Sequence, residues 1–179
     1  MKHIMYVLGM VLAMCCCSTK EEKVTSSEES KVDSGVNHLY QYYDFRQEEP
    51  GCEFSGFSGS NAFGRWSSGD TAIVDLMAAP MAEITVKLYI DRVICPDSEP
   101  FEFDVEVNGD RLSHYSINGH SAVYVNVPKE NLGADGSARL IFIFKNAAKP
   151  SKYNPENEDP RKLGFAVTDI TVYGYSPKK

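Results

Sequence analysis

Few residues in this chain stand where their types and spacing would do chemistry, and each of those has a second reading. Gly56-Phe57-Ser58-Gly59-Ser60 approaches the Gly-x-Ser-x-Gly elbow of serine hydrolases. Ser60 replaces the last glycine, and the strand-to-helix setting that the elbow requires is missing. His114 and His120 flank the dipeptide Asn118-Gly119 and are expected close together. No third ligand stands at a zinc-like spacing, so they read as surface histidines. Asp104, Glu106 and Asp110 sit at alternating strand positions, which makes a solvated face rather than the two opposed carboxyls of a glycosidase. Phosphate loops and dinucleotide fingerprints are absent. The expectation is a chain with no catalytic residue, no metal and no cofactor, hence not an enzyme. A hydrolase on the same scaffold is the weakest alternative.

The cysteines carry the clearest signal. Lys2 and His3 precede an uncharged, mostly apolar run from Ile4 to Met14, followed by Cys15-Cys16-Cys17 and an abrupt polar turn. A bilayer-spanning helix needs about twenty apolar residues; this shorter run fits the apolar region of a secretory signal. A cysteine directly after it resembles the lipobox of bacterial lipoproteins. The resemblance implies lipid on Cys15 or Cys16, although Met14 is larger than the usual small residue. The expected location is the cell envelope, periplasmic or surface-exposed, anchored to a membrane. Beyond the signal, Cys52 and Cys95 remain. An oxidising compartment admits one disulfide between them, worth on the order of 4 kcal/mol in the chain-entropy picture. Two separate buried thiols are the other reading.

Residues 1–17 are therefore read as the signal and 18–36 as a tether. The tether (STKEEKVTSSEESKVDSGV) has no aromatic residue and too little apolar surface to bury. Such a segment reaches roughly 25 Å root-mean-square. Residues 37–176 are left as one domain of ordinary size. The net charge of -7, with no basic cluster, excludes nucleic acid as a partner and argues against docking on anionic lipid. Ten Tyr, nine Phe and one Trp suit strands and equally suit sugar-stacking surfaces.

Periodicity decides the fold class. Phe101 to Val107 alternates apolar and acidic residues without fault, as a strand buried on one side does. Asn108-Gly109 and Asn118-Gly119 follow ten residues apart. Two such turns predict an antiparallel meander through Arg111–Ile117 and Ser121–Val127. Thr71 to Met77 and Ala82 to Asp91 alternate likewise, while Ala138 to Lys145 is apolar on both faces. The last strand, Leu163 to Tyr175, changes phase near Thr168-Asp169, which predicts a bulge. An early strand, Leu39 to Phe45, is expected to pair with it at an edge. The chain reads as all-β, an antiparallel sandwich of jelly-roll type like that of a carbohydrate-binding module.

Two stretches break the alternation: the Gly/Ser-rich loop Gly56 to Gly69, containing Gly64-Arg65-Trp66-Ser67, and Asp159-Pro160-Arg161-Lys162-Leu163-Gly164 at the start of the last strand. Together they resemble the two signatures of a bacterial β-sandwich domain of unknown function. That domain accompanies membrane-bound phosphoglycerol transferases and glycosyltransferases of surface-polysaccharide synthesis. The resemblance spans about Phe54 to Tyr173. Where the family pattern has an acidic residue before Gly-Arg-Trp, this chain has Asn61, Ala62 and Phe63. The resemblance implies a glycan site in which Trp66 stacks on a sugar and Arg65, Asp159 and Arg161 bond its hydroxyls. The same arginines have five fixed donors each and can instead tie loop carbonyls together. The expected function is a non-catalytic envelope lipoprotein that binds or organises surface glycan. The alternative is a structural or protein-interaction module of the envelope.

Overall fold

The structure is a computed structural model and describes residues 36–77 and 83–176. Cys15, Cys16 and nearly all of the tether lie outside the described residues. Among the described residues no helix is long and apolar enough to cross a membrane. Ten strands follow one another: β1 Val36–Asp44, β2 Glu53–Ser55, β3 Arg65–Ser68, β4 Thr71–Met77, β5 Glu83–Val93, β6 Phe101–Val107, β7 Asp110–Ile117, β8 Ser121–Pro128, β9 Ser137–Phe144 and β10 Leu163–Ser176.

They form two antiparallel sheets. Sheet I runs β1-β10-β5-β8, with β3 beside the first half of β10; sheet II runs β2-β4-β9-β6-β7. From β3 to β6 each strand crosses to the opposite sheet, and so does each from β7 to β10. This is a jelly-roll sandwich, the fold class expected from period-two patterning. The early strand pairs with the last one at the sheet edge, and the register of β10 shifts between Ala166 and Asp169, where the phase change predicted a bulge.

The meander is a correction. Asn108 and Gly109 both have positive φ, 50° and 97°, the type I′ geometry that closes β6 onto β7. At the second dipeptide Gly119 alone is in that region. The chain there leaves sheet II, and β8 pairs with β5 in sheet I. β9 is a second correction: Leu140, Phe142 and Phe144 face the interior, whereas Ile141 and Ile143 lie half-buried on the outer face.

Five phenylalanines fill one end of the core. Phe165 of sheet I inserts among Phe101, Phe103, Phe142 and Phe144 of sheet II, with ring centroids 5.2–6.3 Å away. Edge-to-face pairs of this kind add about 0.5–1.5 kcal/mol each beyond area burial. Both sheets are therefore held to a common plug, and their outer faces are left to other uses.

Candidate functional site

The two sequence signatures meet. β3 pairs with the start of β10, Ser68 opposite Leu163, Trp66 opposite Ala166 and Arg65 opposite Val167. Gly64 has φ +103°, and a Cβ there would lie 1.9 Å from the Val167 carbonyl oxygen. Glycine is the residue that allows this approach. The buried Ser67 hydroxyl accepts the Phe165 amide at 3.0 Å, and Gly164 leaves room for that oxygen.

Arg65 takes the second of its two expected roles. It is buried, its guanidinium donates to the carbonyls of Ser58, Gln47 and Glu48 at 2.7–2.9 Å, and it stacks over Phe54 at 4.7 Å. Those donors are spent on the loops. Asp159 and Arg161 bond each other two residues before β10 begins, through both carboxylate oxygens. The Arg161 guanidinium holds the Asp159 carboxyl down to about 2.

Trp66 differs from its partners. Residues paired directly across strands point to one side of a sheet, so Trp66, Ala166 and Arg92 share the outer face of sheet I. Phe63, 47% exposed, stacks there under the Arg92 guanidinium at 3.9 Å. The Gly56–Gly69 loop thus raises an aromatic rim at one end of that face.

Beyond the rim the face continues in three cross-strand rows. Asp44, Asp169, Tyr89 and Ala122 make the first; Tyr42, Thr171, Lys87 and Tyr124 the second; Leu39, Tyr173, Thr85 and Asn126 the third. Tyr42 is 52% and Tyr124 54% exposed. Tyr89 is held upright by His120, whose Nε2 lies 2.6 Å from the phenol oxygen. Thr85 donates to Asn126 at 3.0 Å. Four tyrosines thus flank a polar centre, with ring surface and hydrogen-bonding groups interleaved.

Asp44 and Asp169 stand directly opposite each other, an arrangement of like charges that destabilises a sheet. Arg46 clasps Asp44 with two bonds and lowers its carboxyl. Asp169 is instead raised above the ordinary carboxylate range, by burial first and also by Asp44, against the opposing pull of Lys87 and Arg46. Burial and these same two acids push the Tyr42 phenol up. The first two rows therefore form one electrostatic unit.

Other candidate residues are dispersed. His114 bonds Asp104 on sheet II while His120 serves sheet I, so the two histidines are not the neighbours expected across their turn. Asp104 is no solvated acid: its side chain is 3% exposed and is ringed by Arg111, His114 and Lys145. Ser58 accepts the Trp66 amide and donates to the Gly59 carbonyl, as a loop hydroxyl does.

Cys52 and Cys95 are both free thiols, which corrects the expected bridge. Cys95 lies 3.5 Å from both the Tyr153 hydroxyl and the Asn146 amide. Cys52 lines a cleft of about 610 Å³ with Tyr43, Glu48, Glu49, Glu53 and Asp75. Burial, reinforced by Asp75, lifts its thiol to about 11. A thiol so protonated is a poor nucleophile at neutral pH.

No family model matches the chain, and no curated protein matches it. Among solved structures it is similar to a family 35 carbohydrate-binding module from an environmental isolate, at 14% identity, TM-score 0.49, over 77% of this chain and 97% of that one. A CBM36-1 domain of a multidomain xylanase from the hindgut metagenome of Trinervitermes trinervoides matches at 11% identity, TM-score 0.47, over 76% and 98%. The C-terminal CBM6 of LamC from Zobellia galactanivorans matches at 7% identity, TM-score 0.43, over 74% and 97%. Identities this low transfer no ligand and no residue role.

Proposed function

We propose that this chain is a non-catalytic glycan-binding lipoprotein of the cell envelope, which holds surface polysaccharide against the outer face of sheet I. One observation carries the reading. Tyr42, Tyr89, Tyr124 and Tyr173 alternate with Thr171, Lys87, Thr85 and Asn126 on one uninterrupted face, and two of those rings are more than half exposed. Aromatic rings take the apolar faces of sugars, and a few convergent polar groups fix their hydroxyls.

Trp66 joins this surface from the rim, whereas Asp159 and Arg161 stay paired at the end of the sandwich. The lipid anchor rests on the signal-like N-terminus alone. The test is binding of the full chain, in detergent micelles, to an array of bacterial surface glycans. Binding is expected, is lost on Tyr42→Ala with Tyr124→Ala, and survives Arg161→Ala. Binding that survives the tyrosine pair and fails with Arg161→Ala would return the site to the loops. Mass spectrometry of the N-terminal peptide checks the anchor: diacylglycerol is expected on Cys15 or Cys16, and an unmodified peptide overturns it.

A further inference from the structure

We infer that the sheet I face takes an uncharged, extended glycan by its interior, laid across the strands from Tyr42 to Tyr124. The inference rests on the glycan-binding reading and adds to it the class of chain and the manner of binding.

Length and openness give the manner. Tyr42 is on β1 and Tyr124 on β8, the two edge strands of sheet I, with Thr171 and Lys87 between them in register. Three strand spacings separate the backbones of the two residues by about 14 Å, a span that takes several sugar units rather than one. Neither edge is closed by a further strand among the described residues, so a chain can run past both tyrosines. The rim of Trp66 and Phe63 lies beside the line of binding and not across its ends.

Charge gives the class. The three rows contain Asp44, Asp169 and Lys87, and Arg46 reaches in to clasp Asp44. Two acids meet two bases on this patch, in a chain of net charge -7. Arg46 is occupied by Asp44, and Lys87 stands diagonally across from Asp169, opposite Thr171 in the register. A uronate or a sulfate would have to compete for those cations while lying against two carboxylates. Hydroxyls need no such exchange: they donate to Asp169 and accept from Lys87, with the Thr85–Asn126 pair as a further contact in the next row. The recognition chemistry is that of a neutral polysaccharide.

The experiment is affinity electrophoresis of the full chain in a neutral detergent. The probes are soluble neutral polysaccharides (a mixed-linkage glucan, a galactomannan, an arabinoxylan), with polygalacturonate and a sulfated galactan as the charged arm. Retardation is expected with at least one neutral polymer and is expected to persist at high salt. Tyr42→Ala and Tyr124→Ala, both exposed positions whose folding is checked by thermal melting, should each weaken it roughly 3–10-fold. In calorimetry, neutral oligosaccharides of the retained polymer should tighten from two units to about four. Retention by charged polymers alone, sensitive to salt and lost in the tyrosine variants, overturns the inference and leaves the glycan reading standing. Full affinity already at two units overturns interior binding. No retention of any glycan by the folded chain overturns both, as does tyrosine-dependent capture of a protein in its place.

Discussion

The two outer faces of this sandwich are built from the same strand alternation and are finished in opposite ways. On sheet II the two aspartates are both answered. Asp104 is enclosed by Arg111, His114 and Lys145, and Asp75 is clasped by Arg139 with two bonds. Ile73, Ile141 and Ile143 fill the surface between them, half-buried. On sheet I the rings stand open, and two carboxylates oppose each other across β1 and β10. Sheet II is closed over by ion pairs and half-buried isoleucines, whereas sheet I leaves Tyr42 and Tyr124 open to solvent.

The comparison breaks most completely at what both faces share. Phe165→Ala removes the ring that joins the sheets and should cost about 3–5 kcal/mol. Chemical denaturation should show it as a large fall in midpoint, and glycan binding should vanish with the fold. A fall under 1 kcal/mol would mean that the sheets do not depend on this plug.

Asp104→Asn comes next and tests sheet II alone. It leaves three basic side chains around a neutral amide. Hydrogen bonds to charged groups contribute about 1.5–3 kcal/mol, and all three partners reach solvent, so about 2 kcal/mol is expected. That is roughly 4–8 °C in melting temperature for a domain of this size, with glycan affinity unchanged. The pH dependence has a definite sign. Lys145 foremost, with His114 and Arg111, holds the Asp104 carboxyl down to about 2. Its contribution is therefore complete above the unfolded value near 4 and fades as pH falls through about 2. Acid melts of the native chain and the variant should converge across that window; parallel curves would remove Asp104 from the account.

The fold was legible because alternation is local. Thr71–Met77 and Phe101–Val107 can be read in sequence to the residue. The allotment of strands to sheets was not, since Asn118-Gly119 looks like a hairpin turn in sequence and acts as a crossover. The aromatic face was illegible for the same reason. Tyr42, Tyr89, Tyr124 and Tyr173 come from four strands, and only the cross-strand register places them together. A partial signal was present: on β5 and β8, Tyr89 and Tyr124 stand on the polar side of the alternation, where a sheet has no packing need for a ring. Arg65 was legible only as a choice between two roles, because the carbonyls that occupy it belong to Gln47, Glu48 and Ser58 in loops without periodicity.

The smallest expected effect separates the faces most sharply, because it should move stability and binding in opposite directions. Asp169 is raised by burial, which outweighs the pull of Lys87 and Arg46, with Asp44 adding a smaller push, so the folded chain holds this proton more tightly than the unfolded one. The ionised group therefore works against folding at neutral pH, and stability should recover as pH falls through the raised value. Asp169→Asn keeps the shape and removes the opposed charge. Relief of that burial, and of the Asp44 charge (at most about 1 kcal/mol for such a pair), outweighs the lost attraction of Lys87 and Arg46, so a gain of a few tenths to about 1 kcal/mol is expected at pH 7, shrinking in acid. Glycan affinity should fall about 3–10-fold, the loss of one charged acceptor for a hydroxyl. Gains of this kind at contact residues are the usual sign of stability given up for binding. A variant that loses stability, or that gains it with affinity intact, would make Asp169 an ordinary surface acid and reduce sheet I to a mirror of sheet II.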